Sequence, residues 1–263
     1  MPLKNKSKNT PEPAYRVPAL EKGLDILELL AGSFVPLSLT ELSRACGRKV
    51  SEMQRMVNCL HTRGFLLRDS LGGYRLSSRM YRLACMQPPI QHLLSRAMPH
   101  MEQFVAQVSE SVHLSVLEQD NMLVLGESAG YYADAVRISV RTGSLHLAEE
   151  TVSGRLLLSG MKPETFKGFV LRRQLAGKTL AALQARLETI RQMGCDGGAS
   201  AQIPGVHDLG VLVMAGGTEP VAALTTTYLS SHENPKTTET LLAALREAAD
   251  KIGREMETFP AGA

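Results

Sequence analysis

The stretch 37–76 constrains the fold most, because it carries start and stop signals for two short helices followed by a hairpin. Ser38 and Glu41 form a capping box, which predicts a helix start, and Gly47 is placed to end that helix. A second helix, ending at Gly64, is predicted by apolar residues spaced i, i+3, i+4 and i+7, namely Met53, Met56, Val57 and Leu60. Two short helices joined by a tight turn predict a helix-turn-helix.

The second predicted helix has a polar outer face. Side chains of Ser, Gln, Asn and Arg read base edges or hold phosphates in a major groove. After it, two apolar runs flank Gly72 and Gly73, which predicts a hairpin in the position of a wing. We therefore predict binding to double-stranded DNA; the alternative is a helix pair that packs against another protein. The predicted DNA-binding residues are Arg48, Lys49, Ser51, Glu52, Gln54, Arg55, Asn58 and Arg75.

The charge distribution favours the same partner. Residues 1–80 hold 13 Lys and Arg against 7 Asp and Glu, a net charge of +6. Residues 81–263 hold 16 against 19, a net charge of −3. A basic first part followed by an acidic second part indicates that only the first part meets a polyanion.

The cysteines and the hydropathy pattern argue against several other classes of protein. The four cysteines, Cys46, Cys59, Cys85 and Cys195, show no metal-ligand spacing, so we expect reduced thiols and no metal or cofactor. Since no apolar run approaches about 18 residues and the N-terminus has no apolar segment, we expect neither a membrane span nor a signal peptide. These features predict a cytoplasmic protein.

Composition and periodicity divide the chain into four parts. We predict a flexible arm at 1–17, a winged helix-turn-helix domain at 18–86, a linker at 87–97 and a second domain at 98–263. The first helix should present Leu20, Leu24, Leu27 and Leu30 on one face, which Ile26 and Leu29 widen. Pro88 and Pro89 mark the boundary, with a short helix at 90–96 and a separate helix from Pro99 to about 108.

In residues 98–263, strand hairpins alternate with helices, which predicts an α+β domain with an antiparallel sheet flanked by helices. Strands are expected at 111–118, 122–125, 135–140, 208–214 and 221–228. Helices are expected at 149–159, 163–171, 180–193 and 237–256, and a small flexible loop at 194–200.

This ordered set of motifs resembles the IclR family of bacterial transcriptional regulators. The matching segments are residues 18–27, 54–66, 111–117, 203–206 and 221–227. The resemblance implies a winged helix-turn-helix domain, a linker helix, a GAF-like domain that binds a small metabolite, and a homodimer or homotetramer. The sequence departs from the family pattern where Glu52 replaces a threonine, Asp208 replaces a cysteine and Glu149 replaces a histidine.

An effector pocket is expected between a helix start and two strands. The first-turn amides near Thr151, Val152 and Ser153 form an anion site, and the matching stretch in the family holds a ligand carboxylate. Thr225 and Thr227 share a strand face and match serines that reach the ligand; the alternative is that they are ordinary sheet residues. Asp208 would repel an acidic ligand, so it either points away or accepts from a ligand donor. The remaining predicted effector-binding residues are Ile138, His146 and Val206.

These predictions lead to a DNA-binding regulator controlled by an organic acid or an aromatic catabolite. A dimer would place two recognition helices on a palindromic operator. One alternative is a regulator that has lost its ligand. Another is an esterase, since residues 126–130 fit G-x-S-x-G around Ser128, but that motif requires a following helix and the sequence predicts a strand instead.

Overall fold

A computed structural model describes residues 17–130, 138–200, 203–216, 219–229 and 235–256. The chain divides into two compact units, an N-terminal unit of residues 1–88 and a C-terminal unit of residues 89–263. The predicted arm, except for Val17, and residues 135–137 of the predicted third strand lie outside the described residues.

The N-terminal unit is a helix-turn-helix followed by a two-stranded hairpin. Its elements are α1 (Pro18–Ala31), α2 (Leu39–Ala45), α3 (Val50–Thr62), β1 (Leu66–Arg68), β2 (Tyr74–Leu76) and α4 (Arg79–Cys85). The predicted capping box is present: the Glu41 amide donates to the Ser38 hydroxyl at 3.3 Å, and the Ser38 amide donates to the Glu41 carboxylate at 2.7 Å. Strands β1 and β2 pair antiparallel, as a wing requires.

The core of this unit uses only the Ile26 side of the predicted apolar face of α1. Ile26 and Leu30 are buried against α3, whereas Leu20 and Leu24 are exposed. Each helical residue advances by about 100°, so Leu24 lies about 160° around the axis from Ile26. The predicted leucine stripe was therefore wrong in its first half. On α3, the predicted stripe holds, because Met53 and Val57 are completely buried.

The C-terminal unit is an antiparallel sheet between two layers of helices. Its elements are α5 (Pro88–Val108), β3 (Ser111–Glu118), β4 (Asn121–Ser128), β5 (Leu145–Leu147), α6 (Val152–Ser159), α7 (Pro163–Arg173), α8 (Gly177–Met193), β6 (Asp196–Ala199), β7 (Val206–Ala215), β8 (Glu219–Leu229) and α9 (Pro235–Met256). The six strands are ordered β5-β4-β3-β8-β7-β6, with every neighbouring pair antiparallel. The predicted α+β architecture is confirmed.

Alternating strand residues supply two cores on opposite faces of the sheet. On β8, Ala222 and Leu224 belong to the cluster covered by α5 and α9, whereas Ala223 belongs to the cluster covered by α6, α7 and α8. Strand side chains alternate between faces, so each neighbouring residue serves a different core. The first-turn residues of α6 therefore lie over the sheet face that also carries residues 225 and 227.

Two segments that were predicted to interrupt secondary structure, at Pro99 and at 194–200, contain a helix and a strand. Helix α5 runs through Pro99, so the predicted separation into a short linker helix and a second helix was wrong. Buried Leu93, Ala97 and Met101 form one stripe across the proline, whose missing amide removes only one helical hydrogen bond. The predicted loop at 194–200 contains β6, which pairs with β7 despite the weak strand preference of its glycines.

The region before α6 also differs from the prediction. The described end of the predicted third strand, residues 138–140, is not in a strand, and β5 forms at 145–147 instead. Helix α6 begins at Val152 rather than Glu149, because Thr151 caps it by accepting from the Gly154 amide at 3.1 Å. A side-chain cap fixes a helix start more sharply than hydrophobic periodicity does.

Gly154→Ala should destabilise the protein by at least about 2 kcal/mol, as overpacking does when backbone must move. A Cβ at this position would overlap the carbonyl oxygen of Ala148. Gly23→Ala on α1 is the matched control, because its Cβ would meet nothing within 4 Å; it should stabilise by about 0.5–1 kcal/mol. Thermal unfolding followed by circular dichroism measures both, and equal melting temperatures would contradict the close approach.

Candidate functional site

The exposed face of α3 is the candidate nucleic-acid interface of the N-terminal unit. With Met53 and Val57 buried, the helix leaves Ser51, Arg55 and Asn58 exposed, and Gln54 partly so. The Gln54 amide donates to the Asn58 side-chain oxygen at 2.8 Å, which orients two amide groups on this face. The other predicted contacts are also on the surface: Arg48 and Lys49 before α3, and Arg75 on β2.

Glu52 is held by a residue that the sequence reasoning missed. Lys22 of α1 donates to its carboxylate at 2.7 Å, and this hydrogen bond lowers the Glu52 pKa below its usual value. The carboxylate therefore stays ionised, and its charge is matched by a lysine. Spacings of three and four residues indicate pairs within one helix. They could not reveal the Lys22–Glu52 pair, whose members are 30 residues apart.

The C-terminal unit contains a pocket between the start of α6 and the sheet. It encloses about 460 Å³ of empty space, counting its open mouth. Six of the nine predicted effector-binding residues line it: His146, Thr151, Val152, Ser153, Asp208 and Thr227. Five further residues line it that were not predicted: His113, Met122, Val140, Ser200 and Ile203.

Three predicted effector-binding residues lie outside the lining. Thr225 faces the same side as Thr227, but Ser153 covers it, with the two hydroxyl oxygens 2.9 Å apart. Val206 is buried at the start of β7, and the Ile138 carbonyl accepts from the Ser111 hydroxyl at 2.9 Å. Thr225 is covered by α6, whereas Thr227 reaches the pocket. Strand alternation gives the face on which a residue lies but not whether a helix covers it.

A buried chain of polar side chains forms one side of the pocket. His113 on β3 lies 3.1 Å from the Ser153 hydroxyl, which in turn contacts Thr225. Burial lowers the pKa of His113 to about 4, so its imidazole is neutral at pH 7. Its partners are hydroxyls, which both donate and accept, and therefore suit either tautomer of a neutral ring.

Asp208 also lines the pocket. Its carboxylate accepts from the Thr227 hydroxyl at 2.9 Å. Burial raises the pKa of Asp208 above its usual value, and hydrogen bonds from Thr227 and Ser200 oppose this only in part. The side chain lines the pocket rather than pointing away, so a molecule bound there meets a carboxyl group.

A buried ion-pair cluster fixes the helix that carries Ser153. The Asp196 carboxylate, with no exposed surface, accepts from Arg155 of α6 at 2.8 Å and from Arg186 of α8 at 2.8 Å. Arg155 also donates to the carbonyl of Glu150 at 3.0 Å. The cluster joins α6, α8 and β6, and so holds one side of the pocket in place.

Other classes of site receive no support from the described parts of the chain. Ser128 is the last residue of β4 and pairs with Val112, so it lies in a strand rather than in the turn of a nucleophile elbow. Residues that are described include no group of three or more His, Cys, Asp or Glu able to hold a metal ion. Within the same residues, no helix is long and apolar enough to cross a membrane.

Two family models match the two units. The IclR helix-turn-helix domain matches residues 19–70, and the C-terminal domain of the bacterial transcriptional regulator IclR matches residues 90–254. The chain belongs to the IclR family of bacterial transcriptional regulators. Its N-terminal unit is therefore a DNA-binding domain, and its C-terminal unit is the ligand-binding domain of the family.

Individual relatives are distant. The glycerol operon regulatory protein of Streptomyces griseus is 25% identical, with 92% of this chain and 98% of that protein covered. For the protein of the same name from Streptomyces coelicolor, identity is 26% and the match spans 55% of this chain but only 56% of that protein. An IclR homolog from Microbacterium hydrocarbonoxydans, crystallised with 4-hydroxybenzoate, has a TM-score of 0.77 at 22% identity, covering 92% of this chain and all of that one.

Arg55→Ala should weaken DNA binding by about 1–3 kcal/mol if the side chain meets a base edge, or lower the salt slope by about one if it meets a phosphate. Gel shifts at two salt concentrations, with duplex DNA selected from a random pool, separate the two cases. Arg254→Ala on α9 is the control, because it removes the same charge from an exposed site outside the DNA-binding domain. Unchanged affinity and slope would remove Arg55 from the interface.

The neutral His113 predicts a loss of stability in acid. Its pKa is about 4 in the folded protein against 6.5 ordinarily. The neutral ring therefore contributes its full stabilisation above pH 6.5, and this stabilisation falls below that pH and is lost as the pH drops through 4. At about 1.4 kcal/mol per pKa unit, the loss in the free energy of unfolding approaches about 3 kcal/mol. Urea unfolding followed by circular dichroism between pH 7.5 and 4.5 should show a weaker dependence in His113→Gln, but not in the control His61→Gln, which alters an exposed histidine. Parallel losses in all three proteins would contradict this assignment.

Proposed function

We propose that this chain regulates transcription by binding an operator through α3, and that a small molecule in the C-terminal pocket controls this binding. One observation carries the proposal: six residues that the sequence predicts for an effector site line one pocket of the C-terminal unit. The homolog crystallised with 4-hydroxybenzoate and the relatives named as glycerol operon regulators support control by a small metabolite. Such a ligand acts only if it binds two arrangements of the protein with different affinities.

The operator partner follows from the helix-turn-helix. We propose that Arg48, Lys49 and Arg75 meet phosphates, while Ser51, Gln54, Arg55 and Asn58 face the major groove. Since a single recognition helix reads only a few base pairs, we propose a homodimer or homotetramer on a palindromic operator, with half-sites about one helical turn apart or a multiple of it. The protein acts on DNA in the cytoplasm, and it needs no catalytic step or cofactor for this role.

The strand position of Ser128 supports regulation over hydrolysis. A serine nucleophile needs an exposed turn and a base within hydrogen-bond reach. Both neutral histidines of the pocket contact other hydroxyls: His113 contacts Ser153, and His146 lies 2.8 Å from Ser144. We therefore assign the pocket to binding rather than to catalysis.

The proposal is tested by pairing a metabolite screen with DNA binding. Small organic metabolites are screened by thermal shift, since a ligand at 100 times its Kd adds about 2.7 kcal/mol of stability. Each stabilising compound is then titrated into gel shifts with the selected duplex. At least one compound should change the operator affinity; a protein that binds DNA identically with every stabilising compound would be a regulator without ligand control.

Thr227→Val should weaken binding of a screened effector about tenfold, because it removes the hydroxyl that orients the Asp208 carboxylate in the pocket; a hydrogen bond to a charged group contributes about 1.5–3 kcal/mol. The hydroxyl donates to Asp208 in the pocket, and valine keeps the shape. Thr226→Val is the matched control: its hydroxyl donates at 2.7 Å to the carbonyl of Ser111, and the residue does not line the pocket. Calorimetry measures effector affinity, and gel shifts without effector should be unchanged. Equal effector affinity in both variants would contradict the pocket assignment.

A further inference from the structure

The pocket offers a carboxylate to its ligand but no cationic side chain among the described residues that line it. The nearest relevant cation is Arg155, whose charge lowers the Asp208 pKa from a distance. Its guanidinium is already hydrogen-bonded to Asp196 and to the carbonyl of Glu150. Lysine and arginine side chains form strong charge-assisted hydrogen bonds with bound acids. In this lining an acidic ligand would meet the Asp208 carboxylate with only the first-turn amides of α6 to offset its charge.

The remaining polar groups are uncharged at neutral pH and able to both donate and accept. They are the hydroxyls of Thr151, Ser153, Ser200 and Thr227 and the imidazoles of His113 and His146, whose pKa values are lowered by burial. Hydroxyls and neutral imidazoles complement other hydroxyls, which can donate to one neighbour and accept from another. The apolar residues of the lining, Met122, Val140, Val152 and Ile203, suit the carbon chain between such groups.

The start of α6 and Asp208 require different ligand atoms. The start of α6 presents first-turn amides and the positive end of the helix dipole, so it favours an acceptor oxygen and disfavours a cation. The Asp208 carboxylate is largely buried, so an anion bound beside it would be repelled in a poorly solvated space. The carboxylate favours a hydrogen-bond donor instead. A ligand with hydroxyl groups at both ends satisfies both requirements without adding charge.

We infer that this pocket selects an uncharged, polyhydroxylated molecule over a carboxylic acid, with one ligand hydroxyl donating to Asp208 and another hydroxyl oxygen facing the first turn of α6. The inference rests on the proposed function only in taking the pocket as the effector site. It departs from the organic acid expected from the sequence, because Asp208 lines the pocket and its hydrogen-bond partner is the neutral Thr227 hydroxyl.

The test is calorimetry on the full chain at pH 7.5 with matched compounds. Erythritol and xylitol are compared with their acids, erythronate and xylonate, and with 1-amino-1-deoxy derivatives of the same length. A polyol should bind at least about tenfold more tightly than its acid, the difference of one unfavourable charge contact. Acids or amines that bind more tightly than the polyols would overturn the inference, and so would the absence of binding by every compound in the set.

Asp208→Asn identifies the group responsible. It should weaken polyol binding about tenfold and reduce the preference over the acid, because an amide accepts more weakly and carries no charge. Asp250→Asn on α9 removes the same charge from an exposed helix position that does not line the pocket, and should change neither. Circular dichroism of the unliganded variants verifies folding, and Thr227→Val, which removes the Asp208 partner, provides a second variant that should also weaken polyol binding. A preference unchanged in Asp208→Asn, or a polyol affinity unchanged in both variants, would overturn the role of Asp208.

The DNA readout separates this inference from the proposed function. If polyols bind with the expected preference but operator affinity stays constant, the pocket chemistry stands and ligand control through it fails. If acids bind instead and release or tighten the operator, ligand control stands and the inference fails. Each result therefore bears on a different one of the two proposals.

Discussion

The pocket depends on one buried carboxylate. Asp196 has no exposed side-chain surface and is bonded by Arg155 and Arg186. Leaving such a charge without any partner costs several kcal/mol, so Asp196 depends on these two arginines. Because Arg155 and Ser153 are two residues apart on α6, the contact that secures the helix to β6 also sets where the Ser153 hydroxyl meets His113 and Thr225.

Close backbone packing complements this electrostatic constraint. Gly154 allows α6 to approach the segment containing Ala148, and Gly210 leaves room on β7 for the Thr225 hydroxyl and for Leu156. Side chains at either glycine would push the helix away from the sheet. The first turn of α6 is therefore positioned by an ion-pair cluster at Asp196 and by two glycines, which makes the pocket largely preformed for a ligand.

Elements encoded by local sequence signals could be predicted, whereas features that depend on contacts between distant residues could not. The capping box at Ser38 and the apolar spacing on α3 act within a few residues, so the helix-turn-helix could be predicted from them. Strand alternation likewise identified Thr227. It could not identify His113, whose role depends on Ser153, 40 residues away, or the burial of Thr225 beneath α6. Strand β6 was missed because its stability comes from pairing with β7 and from Asp196 contacts, not from its glycine-rich sequence.

Two acidic residues that depart from the family pattern have opposite surroundings. Glu52, on the candidate DNA interface, is paired with Lys22, so its charge is offset before any phosphate approaches. Asp208, in the pocket, is hydrogen-bonded by the Thr227 hydroxyl, which orients the carboxylate without cancelling its charge. The same type of side chain is therefore neutralised where the proposed partner is a polyanion and kept available where it meets a small molecule. Neither Lys22 nor Thr227 is near its acidic partner in sequence, so both pairings depend on the fold.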